Sequence, residues 1–298
     1  MVVRFISVVG GDTSLLGSAI THYRRLGVQE FHIVRHAESA DDPGVAASVE
    51  VMRKAGLTFS DIVVGPWHEH LNPALIREAM SRHPDDWWVV ADLDEFQLYP
   101  DELPAVIAHC ERRGYDHVSG AFLDRVAADG TLPEPDTSHP DAVWHQYGLA
   151  GLLTLRLLRA RPTKVTLARG RVELAYGQHT SWSGRGAPPA DLYAQVHHFK
   201  WTGSARARLA RRVAAYASGR WEVNDPVIIE ESRAFLTHLD AHDGRIDVGD
   251  PTLAFLPCGT TYHDYTGWPR VTAELSHAYD EFDAARARRR QADPTLRI

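Results

Sequence analysis

The sequence predicts an α/β protein with a mostly parallel, GT-A-like central sheet flanked by helices, followed by a helical C-terminal extension. Three observations carry this. Short apolar runs alternate with stretches of helical period four times before residue 96. Helix-stopping glycines close the periodic stretches. From residue 204 onward helical periodicity takes over. Such alternation is the pattern of parallel strands joined by covering helices. We place the catalytic domain at 1–200 and the extension, packed on it, at 201–298.

The elements follow in order. VVRFISVV (2–9) is a buried strand. Leu15, Leu16, Ala19, Ile20, Tyr23 and Leu26 share one helix face, with Asp12 or Thr13 as cap and Gly27 as stop. FHIV (31–34) is a second strand; Val45, Val49 and Met52 mark a helix closed by Gly56. DIVVG (61–65) is a third strand, and Pro73, Ile76, Ala79 and Met80 a third helix. WWVVADLDEF (87–96) begins as a buried strand and ends in carboxylates. Leu103, Val106, Ile107 and Cys110 form the next helix, stopped by Gly114, before a strand at 116–121. Residues 129–141 are turn formers; 164–177 reads as two short strands around Arg169-Gly170; 181–189 is Gly/Pro/Ser-rich and expected to be mobile; YAQVHHF (193–199) alternates as a strand. Leu209, Val213 and Tyr216 define one helix of the extension; Asp225-Pro226 starts a second with Ile228, Phe235 and Leu239 inward; Val271, Leu275, Ala278 and Phe282 mark a third, with a frayed tail.

Composition narrows the classes of function. The chain has 298 residues, 44% hydrophobic and 24% charged, ordinary usage for a globular protein. Lys+Arg 32 against Asp+Glu 39 leaves a net charge of −7, which speaks against nucleic acid as partner. No apolar run reaches the roughly 18 residues of a membrane span, and the opening MVVRFISVVGGD lacks the build of a secretory signal. Two cysteines do not make a disulfide framework, so a cytoplasmic location is expected.

The strongest chemical motif is Asp92-Leu93-Asp94-Glu95-Phe96, placed where an apolar strand stops. Ligands of open α/β sheets bind at that edge. If the strand runs on, Asp92 and Asp94 point the same way and present two hard oxygens to one cation. An acidic turn is the plain alternative.

Four stretches together resemble the nucleotide-sugar glycosyltransferases of the GT-A fold, within them the family 2-like bacterial proteins. They are SLLGSAITHYRRLGVQEFHIVRH, WWVVADLDEF, FLDRVAADGTLPE and QVHHFKWTGSARARLARRVAAYASGRW, spanning about residues 5–245. The resemblance implies a metal-dependent hexosyltransferase using Mn²⁺ or Mg²⁺ and a nucleotide-sugar donor, a UDP-sugar foremost, with an inverting outcome and an unidentified acceptor. It implies Asp92, Asp94 and His198 as metal ligands, with His179 as the rival histidine. It implies Gly10, Gly11, Asp12, His36, Asp92, Lys200 and Arg206 around the nucleotide. Glu95 and Asp124 are the catalytic candidates, Asp124 as base toward an acceptor hydroxyl. The first loop departs from the family's usual Asn or Arg followed by an acid, since it reads Gly10-Gly11-Asp12. Alternation along the closing strand turns His198 and Lys200 to the ligand and His197 and Phe199 to the core.

Two other classes are carried forward. FHIVRHAES (31–39) resembles the histidine-phosphatase phrase, with Arg35 binding phosphate and His36 as nucleophile. A non-catalytic nucleotide-sugar-binding protein of the same fold is the third. His68-Glu69-His70 has the composition of a zinc site, but its spacing beside Pro66 and Asn72 suits an exposed loop.

Overall fold

A computed structural model describes residues 2–221 and 227–260, together with 277, 279–281, 284 and 288. The first half runs β1 (Val3–Val9), α1 (Leu16–Leu26), β2 (Glu30–Ala37), α2 (Pro43–Lys54), β3 (Asp61–Val64), α3 (Leu71–Ser81), β4 (Trp87–Val90), β5 (Glu95–Leu98) and α4 (Leu103–Arg113). Then come β6 (His117–Val126), α5 (Ala142–Gln146), β7 (Leu149–Gly151), α6 (Leu153–Arg156), β8 (Thr163–Arg169), β9 (Ala194–His198), α7 (Ala205–Ala217), α8 (Val227–Ala241) and β10 (Leu256–Pro257).

Local chemistry accounts for the early elements. β1 is buried along its whole length, as an inner strand of a covered parallel sheet requires. Gly27 ends α1 in the left-handed region at φ 102°, and the Val28 amide returns to the Tyr23 carbonyl. Asp42 caps α2 by accepting from the Gly44 amide at 2.8 Å, with Pro43 in the first turn. Asp12 caps differently from expectation: its Oδ1 accepts from the Ser14 amide at 2.9 Å in a turn ahead of α1.

The sheet order is β10-β7-β6-β8-β4-β1-β2-β3. β4, β1, β2 and β3 form the parallel block. β8 runs antiparallel to both β4 and β6, and β7 and β10 continue antiparallel. At β6 the sheet forks, since β9 pairs with it in parallel and carries β5 antiparallel on its other side. Helices cover the faces, so the α/β class stands, with the parallel strands gathered at one side.

Two sequence expectations change. The 87–96 run is not one strand: β4 stops at Val90, where the Gln97 side chain donates to the Val90 carbonyl at 2.6 Å and the chain turns to start β5. The stretch 164–177 holds one strand, β8. Beyond it the Gly170 and Arg171 amides go to the carbonyls of Asp86 and Pro84, and no strand ladder forms. A Cβ on Gly170 would lie 2.2 Å from the His83 carbonyl oxygen, so only glycine lets the chain pass there.

The extension docks through a second apolar cluster. Trp201 stacks on Phe235 at 4.2 Å, and Leu209 and Leu239 pack with Val126 and Leu153 beneath them. Burying each large side chain contributes about 1.5–3 kcal/mol. Arg125 clasps the far end of this region. Its buried guanidinium donates to the carbonyls of Tyr147, Trp144, Cys258 and Gly259 at 2.8–3.1 Å. Val271, Leu275, Ala278 and Phe282, expected as a third helix, lie outside the described residues, as do the Asp225-Pro226 helix start and all of the frayed tail but Arg288.

α7 lies along the C-terminal edge of the parallel block. Arg211 reaches Gly11 after β1, and Tyr216 meets Trp67, beyond β3, edge to face at 6.4 Å.

His22 reports on acid stability. Its Nε2 bonds the Gln97 carbonyl at 2.9 Å and its ring stacks on Phe96. Burial lowers its pKa from 6.5 to about 4. Between those values the unfolded chain binds a proton that the folded chain refuses, so stability falls as pH drops from 6.5 toward 4. Urea titrations of His22→Gln should show a shallower loss of stability over that window than the parent.

Candidate functional site

Strand register builds the site. Across β5, β9 and β6, Glu95 stands opposite His198, and His198 opposite Asp124. The His198 ring stacks on Phe122 at 4.5 Å, and its Nδ1 lies 3.2 Å from Asp124 Oδ1. Asp124 is fully buried and also accepts from the Thr154 amide at 2.6 Å, the Thr154 hydroxyl at 2.7 Å and Trp201 Nε1 at 3.0 Å. Burial alone would push its pKa up, but His198 and these donors outweigh it and hold the carboxyl below its usual range. The other ring nitrogen of His198, Nε2, faces Asp94, whose Oδ2 is 3.8 Å away.

The neighbours on β9 face the other way. His197 meets Trp144 at 4.9 Å and accepts from Arg125, and Phe199 packs on Phe96 and Trp144. His179 is bound to the Thr163 carbonyl at 2.7 Å, and burial lowers its pKa to about 4.

Asp92 and Asp94 part company. They sit in the turn between β4 and β5, so strand alternation does not align them. Asp92 Oδ2 is 2.8 Å from Lys164 Nζ on β8, and the same ammonium is 2.8 Å from Glu95 Oε1. Glu95 Oε2 in turn accepts from the Asp92 amide at 3.0 Å. Lys164 and Glu95 are each 2% exposed, while Asp92 is 41% exposed. Burial pushes the Glu95 carboxyl up to about 7 against the pull of Lys164.

Three expectations are corrected here. Asp124 has no free oxygen to offer an acceptor hydroxyl and is sealed from solvent, so it positions His198 and is not a base. Glu95 is enclosed by Lys164 and the Asp92 amide and reaches no acceptor. Asp92 and Asp94 are not the aligned pair that a continuous strand would give, because they sit in a turn and Lys164 holds one oxygen of Asp92. Lys164, which composition and motif reading passed over, is the single cation opening the apolar run KVTLA.

The cations beside Asp94 come from β9 and α7. Arg208 Nη1 lies 4.0 Å from Asp94 Oδ2 and Nη2 donates to the Lys200 carbonyl at 2.7 Å. Asp94 is held below its usual range: burial raises it, and His198, Arg208 and Lys200 together overcome that. Burial and Arg212 lower Lys200, a sign of cations crowded together. Arg206 is not among them. It pairs with Asp240 of α8 on the outer side. Two residues along a helix turn about 200°, whereas Arg208, Arg211 and Arg212 share one face.

The β1 turn completes the edge. Gly11 adopts φ 61°, and a Cβ there would come within 3.8 Å of Arg211 Nη2. Asp12 ties this turn to α7, since Ser204 donates to its Oδ2. His36 is buried behind Gly10, with Nε2 on the Gly65 carbonyl at 2.9 Å. Arg35 is fully buried and donates to the carbonyls of Val9 and His36. Neither side chain is presented to solvent, so the phosphohistidine alternative finds no accessible nucleophile.

Among the described residues no group of three or more His, Cys, Asp or Glu side chains surrounds a common point. The Asp94–His198 pair is a two-donor set. Ligands about 2.1 Å from one ion stand about 3 Å apart at right angles and about 4.2 Å when opposite, so 3.8 Å lies within reach. The carboxylate behind His198 is the support that metal-binding histidines carry. The pair therefore fits an ion that takes the rest of its shell from phosphate oxygens and water.

No family model matches the chain. No curated protein matches it either. Among solved structures, HddC from Yersinia pseudotuberculosis is 11% identical over 46% of this chain and 64% of its own, with a TM-score of 0.27. A putative glucose-1-phosphate thymidylyltransferase from Bacillus anthracis is 9% identical over 92% of this chain and 95% of its own, at 0.29. TarS residues 1–349 from S. aureus are 10% identical over 84% of this chain and 77% of that one, at 0.32. Likenesses at this level assign neither family nor activity. No helix among the described residues is long and apolar enough to cross a membrane.

Two substitutions test the buried polar groups. Asp124→Asn replaces an acceptor of four bonds by a group that must also donate, and should cost about 2–4 kcal/mol in urea unfolding. Lys164→Met leaves Asp92 and Glu95 facing each other without their cation. It should cost about 3–5 kcal/mol at pH 8, and less at pH 5, where Glu95 takes up a proton.

Proposed function

We propose that the chain is a metal-dependent glycosyltransferase of GT-A type, moving a hexose from a nucleotide-diphosphate sugar to an acceptor. The carrying observation is the Asp94–His198 pair, supported by Asp124 and facing Lys200, Arg208 and Arg212 at the sheet's C-terminal edge. A carboxylate–imidazole pair opposite clustered cations suits a diphosphate. A divalent ion held by Asp94 and His198 would supply Lewis-acid neutralisation of that diphosphate.

The chain's own groups do the remainder. Lys200, Arg208 and Arg212 take up negative charge on the departing nucleotide, aided by their partial burial. Gly10 and Gly11 let the backbone approach the nucleotide with no side chain between. Asp92, clamped by Lys164 through one oxygen, keeps the other toward solvent, where it can accept from a ribose or sugar hydroxyl. Asp12 keeps the β1 turn and α7 in register, so the glycine turn and the cations meet the same ligand.

UDP-hexoses are the first donors to test, and the expected inverting outcome is read from the anomeric signal of the product by NMR. Calorimetric titration with a UDP-sugar should show binding that strengthens with Mn²⁺. Asp94→Ala should abolish the metal-dependent part. Arg208→Ala should weaken binding by about 10- to 100-fold, the value of a charged hydrogen bond, while Arg206→Ala stays within about twofold. Mn²⁺-dependent affinity that survives in Asp94→Ala would overturn the reading.

A further inference from the structure

Among the described residues few large aromatic rings are exposed, yet two stand side by side. Trp182 is 53% exposed and Tyr176 is 50% exposed, with ring centroids 5.3 Å apart at 87°. Exposed apolar area gathered in one place marks a contact surface. His70, at the start of α3, meets the Tyr176 ring at 5.1 Å, and Arg77 on the same helix lies 6.0 Å from the Trp182 ring. Two flat apolar rings are thus flanked by hydrogen-bond donors.

The sequence expects 181–189, which bears Trp182, to be mobile, and the start of that segment is pinned. Trp182 N donates to the Glu173 carbonyl at 2.7 Å, and Ala175 N to Thr180 at 2.9 Å. Glu173 N donates to Ser183 Oγ at 2.8 Å, and Ser181 Oγ bonds His117 at 3.0 Å. The backbone is fixed by its own bonds while the rings face water. Such preorganisation lowers the entropy lost when a ligand docks.

Position links this patch to the site. Tyr176 begins the turn that ends at His179, and His179 is bonded to the Thr163 carbonyl, one residue before Lys164. Lys164 holds Asp92 and Glu95. Tyr176 therefore hangs from the strand end that carries the carboxylate clamp, and Trp182 leads away from it, beyond Ser181, which bonds His117 at the start of β6. The cations that suit the donor diphosphate come from β9 and α7 instead.

We infer that Tyr176 and Trp182 form the platform on which a saccharide acceptor lies, flanked by His70 and Arg77. A pyranose presents an apolar face of C–H groups bordered by hydroxyls. That face matches an exposed ring, and the border matches neighbouring polar side chains. A saccharide is chosen over a small metabolite because the two rings at right angles offer more than one contact and continue outward from the site. The inference rests on the transferase reading for the word acceptor, but the binding it describes stands by itself.

The test uses the full chain and saturation-transfer NMR with cello-, chito- and galacto-oligosaccharides of three to five units. At least one series should bind the parent. Trp182→Ala should weaken that binding by about tenfold or more, as expected for an aromatic anchor, and Tyr176→Ala by a smaller factor. Trp182→Phe should restore most of it. UDP-sugar affinity with Mn²⁺ should stay within about twofold in all three, and unchanged melting temperatures show that the fold is kept. Absence of saccharide binding to the parent, or equal binding by Trp182→Ala, overturns the platform and leaves the transferase reading in place. A fall in sedimenting mass on Trp182→Ala, without saccharide binding, overturns it in favour of a second copy of the chain. Saccharide binding that depends on Trp182, with no nucleotide-sugar binding at all, upholds the platform and removes the transferase reading.

Discussion

One buried carboxylate organises the centre of this molecule. Asp124 gathers a backbone amide and hydroxyl from α6, an indole ahead of α7 and an imidazole from β9. An ionised group in such a place is tolerable only when every lone pair is met. Those donors come from separate pieces of chain, so satisfying Asp124 also sets where the pieces lie. The fork of the sheet, the seat of Trp201 against Phe235 and the direction of His198 follow from one charge that cannot be left bare.

The same rule separates the two acids of the Asp92–Asp94 turn. Each buried or half-buried charge has taken its own counter-charge, Lys164 for one and the His198–Arg208 side for the other. One acid is clamped and looks outward through its second oxygen. Its neighbour stays ionised because cations surround it. A shared ion on the inward oxygen of Asp92 would require Lys164 to withdraw, and among the described residues its ammonium is held by Asp92 and Glu95 together.

Much of the fold was legible because its signals are local. The apolar runs of β1, β2 and β4, the Gly27 and Gly114 stops and the Asp42-Pro43 helix start depend on residues near one another in sequence. The facing of His198 against His197 was legible too, since a strand's period is two and Phe199 shares the apolar side with His197. What could not be read depends on distant partners. Asp124 stood as a candidate base because nothing local reveals Thr154 or Trp201 closing over it. Lys164 was invisible as a site residue because its acids lie some seventy positions away. Arg206 was named in place of Arg208, although helical rotation favours the latter once the docking face of Leu209 is known.

The sheet does not end inside the first 200 residues. Its outermost strand, Leu256–Pro257, comes from the extension and covers β7, and two of the carbonyls that Arg125 holds belong to Cys258 and Gly259. Cutting the chain after the last strand of the first region would uncover the edge of β7, a template for pairing with other chains. It would also strip a buried guanidinium of part of its cage. Fragments that look like independent catalytic domains on sequence grounds would therefore be expected to self-associate, and soluble expression of this protein should depend on carrying the chain at least through Gly259.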